Sequence, residues 1–133
     1  MFKGFKKKFV KVKKGKIFCR IGGTGYPLLL LHGYPQTHLM WHKTAPQLAK
    51  TFTVIAADLR GYGSSLVLKG DKKHINFSKR EMAKDMVQLM DKLGYKNFFI
   101  AGHDRGGRVA HRLARDYRKK VIAMSVLDIC PTL

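Results

Sequence analysis

Short apolar runs and amphipathic stretches take turns along the chain. Leu28-Leu29-Leu30-Leu31, Thr53-Val54-Ile55-Ala56-Ala57 and Phe98-Phe99-Ile100-Ala101 are nearly unbroken, as strands buried on both faces are. Val121-Ile122-Ala123-Met124-Ser125-Val126-Leu127 reads the same way. Between them the period lengthens. Met82, Met86, Leu89, Met90 and Leu93 recur at i, i+4, i+7, i+8 and i+11, a stripe that predicts a helix packed on a sheet. Ser78-Lys79-Arg80-Glu81 opens it as a capping box and Gly94 closes it. A second helix is predicted from Asp104 to about Tyr117, with Val109, Leu113 and Ala114 on one face and Arg112 and Arg115 off it. Gln36 to Lys50 reads as a helix interrupted by Pro46, hence kinked or in two short pieces. Phe9, Val10 and Val12, the turn signal Lys14-Gly15, then Ile17, Phe18, Cys19 and Ile21 predict an N-terminal antiparallel hairpin over residues 5–21. Residues 22–27 and 66–77 read as loops. Strands alternating with helices imply a mostly parallel sheet with right-handed crossovers and helices on both faces. No repeat or linker divides residues 1–133, so the fold class is α/β in a single domain.

Composition changes this picture little. A hydrophobic content of 45% is that of a globular chain. Cys19 and Cys130 each stand alone in apolar surroundings and read as buried thiols in a reducing compartment. No apolar run approaches membrane-spanning length and no signal-peptide core is present, so a cytoplasmic location is expected. Charge is the outlier: 27 Lys+Arg against 8 Asp+Glu, a net +19. The excess is spread along the chain without a nucleic-acid motif. It reads as a solvated surface with non-specific adhesion to nucleic acid. Eight lysines in the first 16 residues suit an exposed strand edge; a basic nucleic-acid-binding arm is the alternative.

The chemistry gathers at Gly102-His103-Asp104-Arg105-Gly106-Gly107-Arg108. A predicted strand turns there directly into a predicted helix, with glycine two residues to either side of Asp104. A sharp strand-to-helix turn needs small neighbours and holds its apex residue out over the sheet edge, at the positive end of the helix. A carboxylate so placed is a candidate nucleophile. The segment resembles the nucleophile elbow of the α/β-hydrolase superfamily, in the Asp-nucleophile branch of haloacetate (fluoroacetate) dehalogenases and epoxide hydrolases. His32-Gly33-Tyr34-Pro35 resembles the same family's His-Gly-x-Pro motif. Asp58-Leu59-Arg60-Gly61-Tyr62-Gly63-Ser64-Ser65 resembles its Asp-x-Arg-Gly-x-Gly-x-Ser loop, and Leu127-Asp128-Ile129-Cys130-Pro131-Thr132 the segment carrying its triad acid.

The resemblance implies a truncated α/β-hydrolase core, covering the first half of a family member. It implies Asp104 as nucleophile, Asp128 as triad acid, and Arg105 and Arg108 on the carboxylate of a 2-haloacid. It further implies the backbone N–H groups of Tyr34 and Arg105 as oxyanion hole, with His32 supporting its loop, and neither metal nor cofactor. The family's histidine base would lie beyond Asp128, where this chain has none of its six histidines. His103 reads as a poor substitute, because neighbouring side chains on a strand point to opposite faces. An enzyme stopping at the ester, an epoxide hydrolase-like relative, a half-domain completed by a second chain, and a non-catalytic basic module all stay open.

Overall fold

The structure, a computed structural model, describes residues 1–67 and 75–130. The hairpin becomes β1 (Lys6–Val12) and β2 (Gly15–Gly22). β3 (Pro27–Leu31), β4 (Thr53–Ala57), β5 (Leu66–Val67), β6 (Phe98–His103) and β7 (Val121–Leu127) follow. The strand order is β1-β2-β4-β3-β6-β7, with β5 paired to β2 beside that path. β2 runs antiparallel to β1 and β4; the β4–β3, β3–β6 and β6–β7 pairs are parallel.

Alternation along the central strands feeds two cores at once. Leu29, Leu31, Ile55 and Ala57 face one way, onto Met82, Met86, Leu89 and Met90 of α2 (Lys79–Lys92) and Val109, Ala110 and Leu113 of α3 (Arg105–Asp116). Leu28, Leu30, Val54 and Ala56 face the other, onto Trp41 and Ala45. The helix expected over 36–50 is two pieces, a 3-10 turn at His38–Trp41 and α1 (Ala45–Leu48). Pro46 lies in the first turn of α1, where its missing N–H leaves no bond unmade.

Three local expectations are corrected. The polar loop expected over 66–77 contains β5, whose two residues pair with Gly15 and Lys16; residues 68–74 of that loop lie outside the described residues. The capping box is half closed. Ser78 Oγ accepts the Glu81 N–H at 3.2 Å, but the Glu81 carboxylate is taken by Lys84 Nζ (2.7 Å) and Lys14 Nζ (3.0 Å). Glu81 thus ties the hairpin turn to α2. Cys19 is buried as expected, whereas Cys130 is exposed, following β7 at the open edge of the sheet. Pro131 and Thr132, part of the pattern around Asp128, lie outside the described residues. No helix among the described residues is long and apolar enough to cross a membrane.

Candidate active site

β6 ends at His103 and α3 starts at Arg105, so Asp104 alone makes the turn, at φ 48° and ψ −115°. L-residues rarely adopt this conformation, and the surroundings enforce it. The Asp104 N–H donates to Leu127 O (3.1 Å) and its carbonyl accepts the Arg108 N–H (3.2 Å). The flanking glycines are needed for contact. A Cβ on Gly102 would collide with the carbonyl of Gly106, and one on Gly106 with the carbonyls of Leu31 and His32.

The Asp104 side chain meets the loop after β3. Tyr34 N–H donates to Asp104 Oδ2 at 2.9 Å. This bond above all holds the carboxyl below its usual range, against partial burial; the Arg105 N–H and the charges of His103 and Arg105 add to the effect. Asp104 is therefore an ionised carboxylate with one oxygen anchored. The two N–H groups expected to serve an oxyanion both lie against it.

Arg105 and Arg108 leave the same first turn of α3. The Arg105 guanidinium lies 5.1 Å from the Tyr34 ring and 5.7 Å from the Tyr62 ring, and its Nη1 donates to the Tyr62 hydroxyl. Arg108 is exposed. Lys79 joins this cationic rim from the start of α2. Burial foremost, then the charges of Arg105 and Arg108, holds its amine below the usual range. Sequence reading passed over Tyr62 and Lys79. Each stood inside a motif already explained, the loop after β4 and the capping box, and no local signal reports their distant neighbours.

His32 is fully buried and braces two loops. Its Nε2 accepts the Leu59 N–H (2.9 Å), so Nδ1–H donates to Gly33 O (2.8 Å). Burial lowers its pKa, and with both nitrogens engaged it supports the loop, as the resemblance implied. His103 is corrected. A methyl built on Gly33 would stand 2.8 Å from both Asp104 Cβ and His103 Nδ1, so the two side chains share one side. Strand alternation stops at Asp104 because its positive φ redirects the side chain. His103 Nδ1 lies 3.0 Å from Gln36 Oε1, and Nε2 lies 3.6 Å from Asp128 Oδ2. Asp128, at φ 54° just past β7, is strongly exposed. Among the described residues no three His, Cys, Asp or Glu side chains are placed to hold a metal.

An anchored, ionised carboxylate at a helix N-terminus, with cationic side chains around it, is suited to nucleophilic attack on an anionic electrophile. Known proteins agree with this architecture. Over 132 residues the chain is 50% identical to a fluoroacetate dehalogenase of Burkholderia sp, covering 99% of this chain and 43% of that protein. Over 111 residues it is 47% identical to a soluble epoxide hydrolase of Corynebacterium sp. (strain C12), covering 84% and 37%. The crystal structure of an α/β hydrolase from Nostoc sp PCC 7120 superposes with a TM-score of 0.96 at 55% identity, over 98% of this chain and 45% of that one. The chain thus spans less than half the length of these relatives. The alpha/beta hydrolase fold family matches residues 26–132, from the start of β3 past the end of β7, and the chain belongs to that family.

Proposed function

We propose that Asp104 is the nucleophile of a haloacetate dehalogenase-type reaction. One carboxylate oxygen attacks the halogen-bearing carbon of a 2-haloacid. The carbon–halogen bond breaks, halide leaves with its electron pair, and an ester of Asp104 remains. The observation that carries this reading is the ionised carboxylate on the elbow, anchored by the Tyr34 N–H beside the Arg105 guanidinium. In it, Arg105 and Arg108 hold the substrate carboxylate. Asp128 orients a histidine base, and the Tyr34 and Arg105 N–H groups stabilise the oxyanion formed when water attacks the ester. The likeness to a fluoroacetate dehalogenase supports the substrate class. The likeness to a soluble epoxide hydrolase supports a second reading, in which Asp104 opens an epoxide; the cations around Asp104 favour the anionic substrate.

We infer that the 133 residues carry the alkylation step, while ester hydrolysis waits on a base outside them, such as one from a second chain. Within them, the histidine beside Asp104 is already engaged by Gln36 and faces Asp128. General-base help is worth about 10²–10⁴ in rate, so the ester should persist. The protein is read as cytoplasmic, and its +19 charge as giving salt-sensitive, sequence-blind adhesion to nucleic acid rather than a specific site.

Chloride release from chloroacetate tests the reaction. The expected result is one equivalent per chain, absent in Asp104→Asn. Sustained release would place a working base within the chain. Faster consumption of a neutral epoxide than of chloroacetate would favour the second reading.

A further inference from the structure

We propose that Tyr62 is a positioning residue which, with the ring of Tyr34, clamps Arg105 so that one edge of its guanidinium is pre-aimed at an anionic ligand. The substrate assignment rests on the dehalogenase-type reading; the clamp rests on geometry alone. Three contacts define it: the Tyr62 hydroxyl accepts from Arg105 Nη1, and the guanidinium lies over both tyrosine rings, which meet edge to face at 6.4 Å and 84°. Tyr62 is itself fixed from behind. The His32 ring packs against it at 5.2 Å, and His32 is buried and bonded through both nitrogens. The Tyr62 N–H donates to Leu59 O, while Asp58 Oδ2 accepts the Ser64 N–H two residues on.

A guanidinium offers carboxylates a planar fork of donors. With Nη1 given to Tyr62, the Nε–Nη2 edge is the fork presented to a ligand. Fixing a long side chain before binding removes ordering that binding would otherwise require. Lys79 gains nothing comparable, since an ammonium acts as a point charge. The clamp therefore gives Arg105 a directional role that its charge alone would not.

The test uses the full chain, with Tyr62→Phe, which keeps the ring and removes the acceptor, and Tyr34→Leu, which removes an exposed ring and keeps the backbone N–H. Acetate is titrated as the anionic probe and acetamide as its neutral twin, while 15N NMR follows rotation of the Arg105 Nη groups. The clamp predicts slow rotation in the parent chain and faster rotation in Tyr62→Phe. Acetate should bind Tyr62→Phe about 2- to 10-fold more weakly, the size of one hydrogen bond, and Tyr34→Leu about 2- to 5-fold more weakly. Acetamide affinity should not change. Equal acetate affinity in the parent chain and Tyr62→Phe, or identical rotation of the Arg105 groups, would overturn the clamp. Failure of chloroacetate to alkylate Asp104 would instead strike the dehalogenase-type reading, leaving both clamp readouts intact.

Discussion

Two aspartates stand just past the carboxyl ends of β4 and β6, the parallel strands on either side of β3, and their surroundings give them opposite work. Asp58 is fully buried and accepts three N–H groups, from His38 N (2.7 Å), His38 Nδ1 (2.8 Å) and Ser64 N (2.9 Å). Burial pushes its pKa up, but these donors outweigh burial and hold it below the usual range. Its lone pairs are committed to bracing the loop that carries Tyr62. Asp104 is also ionised, but among the described residues it draws on fewer donors, the Tyr34 N–H at 2.9 Å and the Arg105 N–H that opens α3. Residue type and strand-end position are the same in both. Donor number and backbone conformation separate the bracing carboxylate from the one proposed to react.

Removing the brace should have the largest effect. Asp58→Ala leaves the two buried His38 donors without their acceptor and frees the Ser64 N–H. The loss should be about 3–5 kcal/mol, read by urea unfolding. A loss below about 1 kcal/mol would mean that the loop does not depend on Asp58.

The elbow can be attacked next. Gly106→Ala drives a methyl into the carbonyls of Leu31 and His32, and such overpacking costs about 1–3 kcal/mol. Because the clash lies two residues past Asp104, alkylation should fall with stability. Full reactivity in a destabilised Gly106→Ala chain would separate the nucleophile from the elbow.

pH sharpens the comparison further. Asp104 is held below the usual carboxylate range, chiefly by the Tyr34 N–H, so the half-point of its alkylation rate should lie below the ordinary 3.8. A half-point at or above the ordinary value would show that the Tyr34 bond does not form in solution.

A third carboxylate gives the smallest effect. Lys84 and Lys14 hold Glu81 at a pKa of about 2, against an ordinary 4.5. The folded-state value is the lower one, so the stabilisation is complete above pH 4.5 and is lost as pH falls through 2. With half-exposed lysine partners it should amount to about 1 kcal/mol or less. Thermal midpoints measured across that range should slope less in Glu81→Gln than in the parent chain.

The sheet centre was legible because burial on both faces leaves unbroken apolar runs such as Leu28–Leu31, and the α2 stripe because its apolar positions keep helical spacing. The elbow was legible through Gly102 and Gly106, whose contacts exclude any side chain. What escaped depends on residues far apart in the chain. β5 has two residues, too few for a period, and is defined only by its pairing with Gly15 and Lys16. Glu81 fits the capping-box pattern, but Lys14 from the hairpin competes for its carboxylate. His103 was assigned the wrong side because strand alternation was carried through a residue with positive φ. Tyr62 acquires its role only when the loop after β4 is laid beside the start of α3.

Mapping the site of alkylation shows whether the elbow makes Asp104 the nucleophile. The chain, with Cys130→Ser to remove the exposed thiol, is incubated with chloroacetate and digested with pepsin at low pH, where an ester survives. Cys19 needs no replacement, since burial pushes its thiol up to about 12 and leaves it unreactive. A single carboxymethyl group on Asp104 is expected, absent in Asp104→Asn although that variant unfolds within a few degrees of the parent. Label on other carboxylates at comparable rates, or label that persists in Asp104→Asn, would contradict it.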